Sequence, residues 1–176
     1  MIRYLAFTFA AGLSLLAQGS KVSPAAVANA PNSSAYGSSV YFAGQPAESD
    51  LAAYAKLGVK TVVNLRSAQE MEKVGYDEAA AASKAGMKYI HVPTGGTAPS
   101  DAELAKIFLA LDQSDSAKVL MHCASSNRVG MVWSIYRGTK QGLSEEDAIA
   151  EGKAAGLKAP GLEKAAREKI EASKRK

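Results

Sequence analysis

The chain of 176 residues has one cysteine, two histidines and one tryptophan, and each scarcity excludes something. A single cysteine forms no internal disulfide, so stability must come from a packed core. Aromatic residues make up only 7% of the chain, and no basic patch is interleaved with them, which argues against a nucleic-acid surface. The net charge of +4 does not change that reading. Removing residues 1–19 takes away only Arg3, and residues 163–176 carry six basic and three acidic groups, which accounts for the remaining excess. Cations there suit the end of a helix. The sequence has no internal repeat and no second block of core-forming residues. With 47% hydrophobic and 22% charged residues, it reads as one globular domain, long enough to bury a core.

What is present begins with a leader. Arg3 supplies a positive start, Tyr4 to Leu16 is almost uninterrupted apolar or small, and Ala17, Gln18 and Gly19 offer small residues for cleavage. Residues 1–19 therefore read as a secretory signal peptide, too short for a membrane span, and the mature protein is expected in the periplasm or secreted, with no stable membrane span. Residues 20–39, rich in Ala, Ser, Pro and Asn, read as a flexible linker, and 40–176 as the domain. In that domain short apolar runs alternate with amphipathic segments. Strands are expected at Val40–Phe42, Lys60–Leu65, Lys88–Val92 and Lys118–Met121. Helices are expected at 51–57, 69–85, from Ser100 (a capping box with Glu103), at 129–140, from Ser144, and at 162–173. This is an α/β fold, a mostly parallel central sheet flanked by helices, whose ligands bind beyond the carboxyl ends of the strands.

The chemistry concentrates just past the last strand, in His122, Cys123, Ala124, Ser125, Ser126, Asn127 and Arg128. A strand, a tight turn of small polar residues and a helix start make an anion cradle, because turn N–H groups and the helix dipole converge on one point. A thiol at the head of that cradle is stabilised as thiolate and should titrate below the free-cysteine value of about 8.5. A planar guanidinium at Arg128 can grip two oxygens at once. The opposing reading is a small core residue, since free Cys is often buried. In an exported protein, a leftover thiol is either buried and inert or reactive and exposed.

His122, Cys123, the small loop and Arg128 resemble the signature loop of protein tyrosine and dual-specificity phosphatases. More closely, they resemble the bacterial beta-lactamase-hydrolase-like phosphatase domain. The similarity runs from about residue 40 to 157 and includes Gly44, Gln45 and Pro46, the strand end Val62 to Arg66, and Asn127 to Gly130 leading into Trp133. The resemblance implies a cysteine phosphatase-like fold, a phosphocysteine intermediate on Cys123, and phosphate held by Arg128 and the amides of Ala124, Ser125, Ser126 and Asn127. It implies no metal or other cofactor, and as partner a phosphorylated protein or small phosphate ester. His122 is expected to orient the loop, and Arg66 to add positive charge at the rim or to lie in a surface turn. Two departures stand out. Four residues, not five, separate Cys123 from Arg128, an interval also resembling rhodanese sulfurtransferases, and Ser126 occupies the position where such loops often carry Gly. Between residues 91 and 101 the only carboxylate is Asp101, the candidate general acid, with its place in a helix first turn as the competing explanation and His91 as a substitute. Sulfur transfer on Cys123 and a non-catalytic anion-binding module remain open beside phosphatase activity.

Overall fold

The computed structural model describes residues 21–175. The expected signal peptide therefore lies outside the described residues. Six strands, β1 (Val22–Pro24), β2 (Ser34–Tyr36), β3 (Val40–Ala43), β4 (Val59–Asn64), β5 (Lys88–His91) and β6 (Lys118–His122), form one sheet in the order β1-β2-β3-β6-β4-β5. β3, β6, β4 and β5 are parallel, whereas β1 and β2 add an antiparallel edge.

That edge corrects one expectation. Residues 21–39 do not run free as a linker: they contain β1 and β2, and Val22, Val27, Ser34 and Ala35 are buried. Each of its strands is only three residues long, and left-handed turns at Ala28 and Asn32 fold the segment back on itself. Runs this short give no periodicity to detect among Ala, Ser and Pro.

The helices are α1 (Glu48–Lys56), α2 (Ala68–Met71), α3 (Glu78–Lys84), α4 (Asp101–Asp112), α5 (Asn127–Thr139), α6 (Glu145–Ala154) and α7 (Pro160–Lys174). Ser67, Asp77, Ser100 and Ser144 cap α2, α3, α4 and α6, each accepting from a first-turn N–H. The single helix expected over 69–85 is two, because the chain turns at Gly75 with φ +80°. No helix among the described residues is long and apolar enough to cross a membrane.

Strand alternation divides the core in two. Phe42, Val63, Leu65, Val119, Met121 and Cys123 pack with α4, α5, α6 and α7. Tyr41, Ala43, Val62 and Leu120 pack on the other face with Leu51 and Tyr54 of α1 and Ala82 of α3. Trp133 of α5 is 1% exposed, with ring centroids 4.9 Å from Phe42 and 5.0 Å from Tyr36. Replacing such an anchor with Ala typically costs about 3–5 kcal/mol. α5 thus runs fixed across the sheet, with its N-terminus at the carboxyl ends of β6 and β4.

Candidate active site

The loop between β6 and α5 is pinned from three directions. Gln45 N–H donates to the Ala124 carbonyl (3.2 Å), and Gly44 forms a bridge with Ser125. Ser126 adopts φ +68°, ψ −1°, the left-handed conformation that Gly takes without cost. Its hydroxyl donates to the Ala155 carbonyl at 2.7 Å, fully buried, and so fastens the turn to the end of α6. Asn127 Oδ1 accepts from the N–H groups of Lys158 (2.7 Å) and Ala159 (2.9 Å). Because the Ser126 and Asn127 side chains are spent on these tethers, no side chain caps α5. Its first-turn N–H groups lack intrahelical acceptors, and an uncapped helix start beside a thiol is suited to an anion.

Cys123 lies at the floor of this turn, 1% exposed, on the α5 face of the sheet. The Arg128 guanidinium is turned inward, onto the strand ends that flank the loop. Its Nη1 and Nη2 donate to Glu70 Oε2 and Oε1, both at 2.7 Å, and Nη1 also reaches the carbonyls of Thr94 (2.8 Å) and Leu65 (3.3 Å). The bonds from Arg128 hold the Glu70 carboxyl down at about 2, well below its ordinary range. Glu70 in turn raises the Arg128 pKa, keeping the guanidinium charged.

Arg66 joins the same rim. Its Nη2 donates to the Glu70 carbonyl (3.0 Å), its Nη1 to Gln45 Oε1 (2.8 Å), and its own carbonyl accepts from His91 Nε2 (2.7 Å). Asp101 is not brought to this group. It begins α4, with Oδ1 2.6 Å from Lys169 Nζ of α7, in a groove shared with Thr139 and Lys140 at the opposite end of α5 from Arg128. His122 points through the sheet, away from the loop it was expected to orient, and its Nε2 lies 3.0 Å from Glu78 Oε1. The cradle thus unites Cys123, Ala124, Ser125, Ser126, Asn127, Arg128 and Arg66.

Sequence reasoning missed Glu70 and Glu78. Glu70 carried a signal for a different role, the capping pair Ser67–Glu70, which the structure contains, with Ser67 N–H donating to Glu70 Oε2 at 2.8 Å. Nothing in the sequence linked it to an arginine 58 residues away. Gln45 was noticed as part of a short motif; its side chain proves to bridge Arg66 to Tyr76 and Glu78.

The family described as beta-lactamase hydrolase-like protein, phosphatase-like domain, matches residues 35–140. A beta-lactamase hydrolase-like protein of Xylella fastidiosa is 30% identical over 116 residues, covering 65% of this chain and 27% of that protein. The chain thus spans about a quarter of the length of the curated relatives it matches. Among solved structures, P. aeruginosa TpbA in complex with phosphotyrosine superposes with a TM-score of 0.70 at 20% identity, over 90% of this chain and 96% of that one. The active form of Tk-PTP superposes with a TM-score of 0.63 at 27% identity, over 75% and 91%.

Proposed function

Since the chain belongs to the beta-lactamase hydrolase-like, phosphatase-like domain family, we propose that it is a cysteine-dependent phosphatase acting on phosphate monoesters, aryl esters such as phosphotyrosine first among them. In this reading the Cys123 thiolate attacks phosphorus. An S–P bond forms as the bond to the ester oxygen breaks, and the departing oxygen takes up a proton. Water then attacks phosphorus, the S–P bond breaks, and phosphate leaves with the thiolate restored. Arg128 and the open N–H groups at the start of α5 hold the phosphoryl oxygens as charge develops on them. The observation that carries the reading is the uncapped α5 N-terminus that follows Cys123, with Arg128 of its first turn held inward on the Leu65 and Thr94 carbonyls.

Proton delivery shapes the substrate class. Among the described residues, Asp101 is paired to Lys169 and Glu70 is held ionised by Arg128, so neither offers a proton beside Cys123, and a substrate with a good leaving group is favoured. Aryl phosphates should turn over faster than alkyl phosphates. Purified protein should hydrolyse p-nitrophenyl phosphate, and Cys123→Ser should abolish it; turnover surviving in that variant removes the cysteine from the reaction. Sulfur transfer is the second reading, supported by the four-residue interval and by Asp101 standing away from the thiol. Persulfide formation from thiosulfate, without phosphate release, would select it. The leader at 1–19 supports export, and the mass of the protein from a periplasmic fraction, short by that segment, tests it.

A further inference from the structure

The cysteine loop has a fourth tether, from the turn that joins β1 to β2. Residues 29–33 of that turn lie outside the stretch matched by the family, 35–140, which therefore does not contain the contact. The turn is braced from within: Ser33 Oγ donates to the Ala30 carbonyl (2.6 Å), and Ala30 N–H to the Val27 carbonyl (3.2 Å). It is also fastened to the start of α1. Asp50, 1% exposed, accepts from Asn29 N–H (3.2 Å) at Oδ1 and from Ala47 N–H (2.9 Å) at Oδ2. Gly44 N–H donates to the Pro31 carbonyl at 2.7 Å. A Cβ at Gly44 would lie 3.0 Å from Pro31 Cγ and 2.9 Å from the Ala124 carbonyl oxygen, so the turn, the end of β3 and the cysteine loop meet around one glycine.

Asn32 completes this contact. Its Nδ2 donates to the Ser125 carbonyl at 3.4 Å. Its backbone is left-handed at φ +51°, a region that Asn enters more readily than most residues with a side chain. The first half of the cysteine turn needs such outside support. Ala124 and Ser125 are exposed, whereas Ser126 and Asn127 are tied to the segment after α6 by their own side chains. The Ala124 carbonyl is held by Gln45 N–H and the Ser125 carbonyl by Asn32. In a trans peptide the carbonyl and the following N–H point in opposite directions. Anchoring the Ala124 carbonyl therefore sets the Ser125 N–H, and anchoring the Ser125 carbonyl sets the Ser126 N–H. An anion cradle depends on the directions of such amides.

We propose that Asn32 is a positioning residue of the cysteine site and that the β1–β2 turn is one of its walls. Its carboxamide holds the Ser125 carbonyl and so keeps the Ser125–Ser126 peptide in the orientation that binds an anion. Asn32 touches no reacting atom. The inference rests on the reading of the cysteine turn as an anion cradle, and it is independent of whether the bound anion is turned over.

The test reads anion binding and not turnover. Inorganic phosphate is titrated by calorimetry into the purified wild type, Asn32→Gly and Asn32→Asp. Asn32→Gly removes the donor and suits the left-handed backbone, so it should melt where the wild type does. It should bind phosphate about threefold to tenfold more weakly, the span expected for one lost hydrogen bond. Asn32→Asp keeps the shape but places a carboxylate beside the Ser125 carbonyl, and should weaken binding further, by a margin that shrinks as salt is raised. Asn32→Gly that binds phosphate as tightly as the wild type overturns the proposal and leaves the turn a purely structural part. If the variants do not fold, NMR of the wild type decides: the Asn32 side-chain amide signal should move as phosphate is added, and a signal that stays fixed overturns the proposal. A wild type that takes up no phosphate removes the cradle and this proposal with it. Failure of the phosphatase reading alone would show separately, as absent p-nitrophenyl phosphate hydrolysis with the binding pattern intact.

Discussion

Ser126 combines two opposed effects in one side chain. Its left-handed backbone costs about 1 kcal/mol relative to Gly, whereas its buried hydrogen bond to the Ala155 carbonyl contributes about 1 kcal/mol. Ser126→Gly should therefore leave the denaturation midpoint nearly unchanged. Ser126→Ala keeps the strain, loses the bond and strands a buried carbonyl, so it should lose about 1–2 kcal/mol in chemical denaturation. A Ser126→Ala protein as stable as the wild type would show that the hydroxyl bond is without weight. Glu70 carries a pH signature. Its carboxyl lies at about 2 in the folded chain against an ordinary 4.5, so its contribution is complete above about 4.5 and disappears as pH falls through about 2. Glu70→Gln should flatten the acid side of the stability profile over that window. It should also lower kcat/KM about tenfold to a hundredfold, because Arg128 loses the bidentate partner that fixes its plane. An unchanged kcat/KM would mean that Thr94 and Leu65 suffice to orient the guanidinium.

At the level of strands and helices, the close approach of β3 to the cysteine loop depends on Gly44. A methyl group there would sit 2.9 Å from the Ala124 carbonyl oxygen and 3.0 Å from Pro31 Cγ. Gly44→Ala should therefore push the loop outward, lowering kcat more than it lowers the melting temperature, and a variant with native kcat would show that the loop yields without cost. Local chemistry made many elements legible: the four strands of the parallel sheet are apolar runs bounded by turn residues, and Ser100 and Ser144 announce their helices by capping. β1 and β2 were not legible, since each is three residues long and gains its stability from neighbours in the sheet. The break between α2 and α3 was hidden because the Ala-rich stretch on its far side favours helix whatever precedes it. At the candidate site, Cys123, Arg128 and the turn could be read because they are consecutive. The pairs Glu70–Arg128 and Glu78–His122 could not, because each joins segments that only the sheet brings together.

Among the described residues, a buried glutamate lies on each face of the sheet: Glu78, 3.0 Å from His122, on the α1/α3 side, and Glu151, paired to Arg137 at 2.8 Å between α5 and α6, with the guanidinium 5.6 Å from the centre of the Trp133 ring. On the second face α5 meets α6 so closely that a Cβ at Gly130 would collide with the Gly152 carbonyl. The start of α5, and with it Arg128, is therefore located by the segment that follows α5. A protein cut after Lys140 should lose near-UV dichroism and phosphate-dependent stabilisation while keeping far-UV helical signal, and native-like thermal unfolding of that fragment would refute the dependence.

The shared family region ends at residue 140, yet the tethers of the cysteine turn come from Ala155, Lys158 and Ala159. Kinship and cooperativity have different borders in this protein. Whoever transplants the signature onto another scaffold by copying only the homologous stretch will carry over the cysteine without the buttress that shapes its turn.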